Sequence, residues 1–191
     1  MLAGKTANDP MPTELSIRPA TLHDVPHLVE LATTTFRDTY RLLDDPDDIE
    51  AYVAEAFTPD NFTAIVQDPS SVLLVALAGE GQYVGYALIA HTPPPPCVTG
   101  PAPIELSRLY LSQSVIGKGY GAALMRAVHA VARRAGCQTV WLGVYDRNEV
   151  ARNFYKRWGF VDVGTKDFLF GGKLYADPIM AAAVPGIGEG C

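Results

Sequence analysis

The sequence predicts an α/β (α+β) fold, a mixed sheet flanked by helices. Three observations lead there. The first half carries short apolar runs one after another. The second half alternates strand, helix, strand, helix, strand. Hydrophobic residues make up 48% of 191 residues, enough for one buried core.

The elements follow in chain order. Residues 15–18 read as a short strand. A helix is expected over about 22–36: Thr21 and Asp24 have capping-box spacing, and Val25, Leu28, Val29, Ala32 and Phe36 share one face. Pro26 favours a start later than Leu22. Residues 47–57 and 60–67 suit shorter helices. Residues 72–78, 83–90 and 104–111 suit strands, the first two joined across Gly79, Glu80 and Gly81. Residues 92–103 contain four consecutive prolines, Pro93 to Pro96, which cannot donate to a ladder, so this is a long loop. From 120 to 135, Leu124, Val128, Val131, Ala132 and Ala135 recur at helical spacing, and Gly136 is a natural stop. Residues 139–144 read as a strand. Residues 148–158 read as a helix presenting Ala151, Phe154, Tyr155 and Trp158. Late strands are expected at 160–163, 168–170 and 174–180. Residues 14–182 thus form a single domain, between a flexible arm at 1–13 and a flexible tail at 183–191.

Composition narrows the function. The net charge is −6 and the longest basic run is Arg133-Arg134, which speaks against nucleic acid as the main partner. No apolar run approaches the roughly 20 residues that span a bilayer, and no signal peptide is evident, so no membrane partner is expected. Cys97, Cys137 and Cys191 form neither a disulfide framework nor a metal-ligand pattern; a cytoplasmic location and no metal are the expectation. Asp44, Asp45, Asp47, Asp48 and Glu50 cluster, either as a solvated loop and helix start or as a field that attracts a cationic substrate.

The sharpest signal is Ile116-Gly117-Lys118-Gly119-Tyr120-Gly121, after a strand and at a helix start. Glycines at alternate positions leave the backbone bare, so N–H groups can turn toward one anion, and the helix adds its positive end. A diphosphate fits. A plain tight turn with glycine caps is the alternative. A nucleotide-hydrolase loop needs Ser or Thr after the lysine, and Gly119 follows Lys118. A dinucleotide fold is suggested by Gly117, Gly119, Ala122 and Asp146. It is opposed by the five residues from Ser112 to Ile116 between strand and first glycine, and by the short remainder of the chain.

The segment LYLSQSVIGKGYGAALM resembles the signature of the GNAT N-acetyltransferase superfamily, and WLGVYDRNEVARNFYKRWGF resembles its second half, with Asn148, Ala151, Phe154, Tyr155, Gly159 and Phe160 in the usual order. One departure is Ile116, where the family carries Arg or Gln; the N–H groups remain. TFRDTY, IELSRLYL, WLGVYDRN and GTKDFLFGGKLYADPIM look like the bacterial spermidine/spermine acetyltransferase type, although an acidic residue is often found where Ser107 stands.

The resemblance implies a mostly antiparallel central sheet of about seven strands, acetyl-CoA as co-substrate, and acetyl transfer to a primary amine. The acceptor implied is a polyamine or another small cationic amine; a homodimer is compatible. It implies coenzyme contacts from Leu109, Tyr110 and Leu111, from Ile116, Gly117, Lys118, Gly119, Tyr120, Gly121 and Ala122, and from Asn148 and Tyr155. Tyr155 would be the acid that protonates the departing thiolate, with an ordinary pKa of about 10, or else a core aromatic. Asn148 would bond the pantetheine, cap its helix, or both. Glu105 would be the base, acting through water, or a structural partner of Arg108. Phe36, Tyr40 and Glu105 would frame the amine. His23, His27, His91 and His129 read as surface or core. Other functions compatible with the same cradle are a protein- or peptide-directed transferase and a non-catalytic acetyl-CoA-binding module.

Overall fold

A computed structural model describes residues 15–186. The expected arm at 1–13 and residues 187–191 of the expected tail lie outside the described residues. Seven strands form one sheet in the order β1-β2-β3-β4-β5-β7-β6. They are β1 (Leu15–Pro19), β2 (Ser71–Ala78), β3 (Gln82–Ala90), β4 (Pro103–Leu111), β5 (Thr139–Gly143), β6 (Val161–Phe170) and β7 (Lys173–Ala183). Every neighbouring pair is antiparallel except β4 and β5. The helices are α1 (Val25–Tyr40), α2 (Pro46–Ala56), α3 (Pro59–Gln67), α4 (Tyr120–Arg134) and α5 (Glu149–Arg157).

Alternation along the strands sorts the core into two layers. Leu74, Ala76, Val84 and Ala87 face α4 and α5, packing with Leu124, Met125, Val128 and Tyr155. Leu73, Val75, Tyr86 and Leu88 point the other way, onto Leu28, Ala32, Phe36, Phe57 and Phe62 of the α1–α3 side. The helices do not reach the far end of that second face. There the proline loop lays Val98 on Trp141 of β5 and Ile179 of β7, with Cys97 beside them. The loop is therefore part of the core.

Several elements differ from expectation in extent. Leu22–Asp24 is a 3-10 turn, so α1 begins at Val25, with Pro26 in its first turn where the missing N–H does no harm. The Asp24 carboxylate accepts from Thr21 N–H (2.7 Å), the bond that the capping-box spacing predicts, and also from Thr21 Oγ1 (2.9 Å). The two strands expected at 160–163 and 168–170 are one strand, β6, whose register against β7 shifts between Asp162 and Gly164. The polar stretch Gly164 to Asp167, which resembles a break in the sequence, is paired with β7 residue by residue. β7 runs past the expected boundary at 182: Ala183 belongs to it, and Val184 is buried with its N–H on Gln138 O.

Candidate active site

The site is created by a disagreement between two strands. β4 and β5 pair in parallel over only three rungs, ending at Glu105 opposite Trp141. Beyond that rung β4 has no ladder partner on its β5 side among the described residues, and a cleft open to solvent occupies the gap. It is lined by Leu106 to Tyr110 of β4, by Gly143, Val144 and Tyr145 after β5, and by Tyr40, Asn148, Ala151 and Tyr155.

A bulge in β4 decides which side chains face the α1–α3 side. Leu88 pairs with Arg108 but Ile89 pairs with Leu106, leaving Ser107 as the extra residue. Ile104 and Leu106 point to the α4 layer; after the bulge Leu109 and Leu111 do. Arg108 and Tyr110 are thereby turned to the α1–α3 side. Tyr110 stacks on Tyr86 with ring centroids 5.6 Å apart. Burial pushes the Tyr110 phenol up to about 12, and burial likewise holds Tyr40 well above its ordinary value. Both are neutral donors at physiological pH.

At the end of β4 that follows the cleft, α4 starts at the glycine segment, where Gly121 faces Leu111 and Phe154. Gly117 and Gly119 adopt left-handed φ values of 78° and 89°, which residues with a Cβ rarely accept. Open space surrounds the Cβ position of Gly117. The N–H groups of Ile116 and Lys118 bond Gln113 O and Val115 O in turns. Those of Gly117, Gly119, Tyr120, Gly121 and Ala122 have no backbone acceptor among the described residues, at the positive end of a 15-residue helix. Gly121 has a separate cause: a Cβ there would lie 3.2 Å from Leu111 Cδ1 and 3.3 Å from Phe154 Cε2. It allows α4 to approach β4 and α5. So the amides of five residues fit a diphosphate, Lys118 offers only its exposed side chain, and Ile116 offers an exposed apolar surface.

Tyr155 lies at the wall of the cleft, packed against Phe154 and Phe160. Burial raises its phenol, with the Tyr110 phenol adding to the effect. The hydroxyl therefore keeps its proton at neutral pH, as an acid must. The ring is buried in the core, and the residue also lines the cleft. Asn148 caps α5, its Oδ1 accepting from Ala151 N–H at 3.0 Å, and also lines the cleft.

The acceptor side departs further from expectation. Tyr40 lines the cleft, but Phe36 does not. Phe36 is buried at the centre of an aromatic cluster, 4.4 Å from Tyr40, 4.7 Å from Tyr52 and 5.4 Å from Phe57 between ring centroids. It supports Tyr40 from behind. Glu105 sits at the last rung below the cleft, on the face opposite Ile104 and Leu106. It does not pair with Arg108, whose guanidinium lies over the rings of Phe57 (5.2 Å) and Phe62 (5.9 Å). Instead its Oε2 accepts from Thr92 Oγ1 at 2.7 Å. Of the acidic stretch, Asp45 caps α2 through Asp47 N–H and Glu50 pairs with Arg37 (Nε to Oε1, 2.7 Å). Asp44 is the member nearest the cleft, accepting from the hydroxyls of Tyr145 (2.7 Å) and Tyr175 (3.3 Å). Thr92 carries no motif in the sequence, and Tyr145 lies in the WLGVYDRN run with no role assigned to it there; only the fold brings them to the site. The histidines stay outside it, and His129 is buried against Trp158. Among the described residues no group of three or more His, Cys, Asp and Glu could hold a metal, and no helix is long and apolar enough to cross a membrane.

Comparison with known proteins supports the same assignment. The profile of the acetyltransferase (GNAT) family matches residues 28–160. An uncharacterized N-acetyltransferase of Mycobacterium tuberculosis is 32% identical over 157 residues, 82% of this chain and 96% of that protein. A spermidine N(1)-acetyltransferase of Thermoplasma acidophilum is 24% identical over 163 residues, 81% of this chain and 94% of that one. The crystal structure of the PaiA N-acetyltransferase of T. acidophilum in complex with coenzyme A superposes with a TM-score of 0.72 at 20% identity, covering 90% of this chain and 99% of that one. With the family profile matched over most of the sheet and the site, this chain belongs to the GNAT family and is an N-acetyltransferase.

Proposed function

We propose that the chain transfers the acetyl group of acetyl-CoA to the primary amine of a small cationic acceptor, with polyamines the first class to try, in the cytoplasm. The observation that carries this reading is the adjacency of two features. Five amides with no backbone acceptor at the start of α4 suit a diphosphate, and the gap between β4 and β5 beside them has a protonated tyrosine at its wall. Relatives named spermidine and spermine/spermidine N(1)-acetyltransferases support the acceptor class, and so does Asp44 behind the cleft.

Acetyl-CoA would supply the activated acetyl group as a thioester. The rest belongs to the chain. The amides of Gly117 to Ala122, that of Lys118 excepted, hold the diphosphate. The unpaired side of β4 around Leu109 and Tyr110 offers backbone partners to the pantetheine arm, and Asn148 orients it. Glu105 relays the proton from the acceptor ammonium through water, so that a neutral amine attacks. Tyr155 donates its proton to the sulfur as the C–N bond forms and the thioester C–S bond breaks, and is reprotonated through solvent by the second proton that the nitrogen loses. Tyr40 and Tyr145 wall the amine side.

The test is release of free thiol from acetyl-CoA against polyamines, aminoglycosides and peptides, for wild type and Tyr155→Phe. The reading expects turnover with spermidine or spermine, and a loss of about 10²–10⁴-fold in kcat in the variant with acetyl-CoA binding retained. Turnover with peptides alone would move the acceptor class to protein amines. Coenzyme binding with no turnover on any amine would mean a binding module.

A further inference from the structure

Resting on the acetyl-CoA reading, we infer that Arg157 of α5 binds the ribose 3′-phosphate of the coenzyme. With Ile116 where the family carries Arg or Gln, Lys118 is the one cation of the glycine segment, and the amides there serve the diphosphate. Coenzyme A carries a further phosphomonoester, and that dianion needs a counter-charge nearby. Three cations lie on α5. Arg152 faces Asp146 and Asp162, each at 3.6 Å, and Lys156 faces Asp162 at 3.8 Å. Arg157 is exposed and has no carboxylate partner among the described residues.

Its position is set rather than free. The Arg157 guanidinium lies 6.0 Å from the centroid of the Phe154 ring. The same ring lies against the backbone of Gly121, where an added Cβ would meet Cε2 at 3.3 Å and Cζ at 3.6 Å. One aromatic ring therefore separates Arg157 from the first turn of α4. A cation stacked on a ring is held in place and keeps its in-plane N–H donors for a phosphate. The exposed side chain of Ile116 gives the adjoining adenine an apolar surface. Diphosphate on the amides, phosphomonoester on Arg157 and base near Ile116 together fill the surface around the start of α4.

The experiment compares coenzyme A with dephospho-coenzyme A, by calorimetry at fixed ionic strength, in wild type, Arg157→Gln and Arg157→Lys. Wild type is expected to prefer coenzyme A. Arg157→Gln is expected to weaken coenzyme A roughly tenfold and leave the dephospho form unchanged. Arg157→Lys, which keeps the charge but loses the stacked fork, should recover part of the difference. Equal losses on both ligands would place Arg157 at the diphosphate, and no loss on either would remove it from the site; both results overturn the inference. Equal affinity of wild type for the two ligands also overturns it while leaving the acetyl-CoA reading intact. Absence of binding to either ligand sinks both.

Discussion

Replacing His129 with Leu should flatten the acid limb of the protein's stability. His129 is 3% exposed on α4, packed against Trp158, and neither ring nitrogen has a hydrogen-bond partner. Burial, aided by the Arg133 charge, lowers its pKa to about 4 from 6.5. The folded state thus refuses a proton that the unfolded chain accepts. Stability is unaffected above the unfolded value and falls as pH drops from 6.5 toward 4. With these two values the loss is about 2 kcal/mol between pH 8 and pH 5, and about 3 kcal/mol once pH is below 4. Urea unfolding at both pH values measures it. Carboxylates titrate in both proteins, so the readout is the difference of differences. His129→Leu should lose about 2 kcal/mol less than wild type on going from pH 8 to pH 5. An identical loss in the two proteins would show that this imidazole is not held neutral, and that α4 packs more loosely on α5 than described.

Two other substitutions probe the frame and the proposed base. Asp24→Ala strips an ion pair and hydrogen bonds from Arg18 (2.7 Å), Tyr83 and Thr21 at a site that is 2% exposed. It should cost about 3 kcal/mol in denaturant unfolding near pH 7. The Arg18 partnership holds the Asp24 carboxyl far below its ordinary range, so this contribution is present above the unfolded value and begins to fade only as pH falls below about 4. Thr92→Val removes the hydroxyl that holds Glu105 Oε2. It should lower kcat roughly tenfold with the acetyl-CoA Kd unchanged, and Thr92→Ser should restore most of the loss. Parallel changes in Kd and kcat would indicate a loop defect instead of a positioning role.

What could be read from the sequence was whatever depends on local backbone chemistry. Gly117 and Gly119 announce themselves because a left-handed backbone admits few other residues, and Gly136 because α4 must end. The Thr21/Asp24 pair and the Asn148 cap are likewise local. What escaped depends on register and tilt. The bulge at Ser107 inverts the facing of every later β4 side chain, so alternation counted from Ile104 puts Tyr110 on the wrong layer. Periodicity assigns Phe36 and Tyr40 to one helix face, but only packing decides that Phe36 is enclosed and Tyr40 reaches the cleft. The parting of β4 and β5 after Glu105 has no residue signature of its own, because it lies in the relation between two strands that are distant in sequence. The pairing of Thr92 with Glu105 spans 13 residues and a proline loop, and was equally invisible.

A crystal structure of the protein with coenzyme A bound would bear on the central claim without intermediaries. The diphosphate should lie within hydrogen-bonding distance of the N–H groups of Gly117, Gly119, Tyr120, Gly121 or Ala122, with the sulfur in the β4/β5 gap beside Tyr155. Coenzyme seated elsewhere, or a sulfur on the far side of β4 from Tyr155, would contradict it.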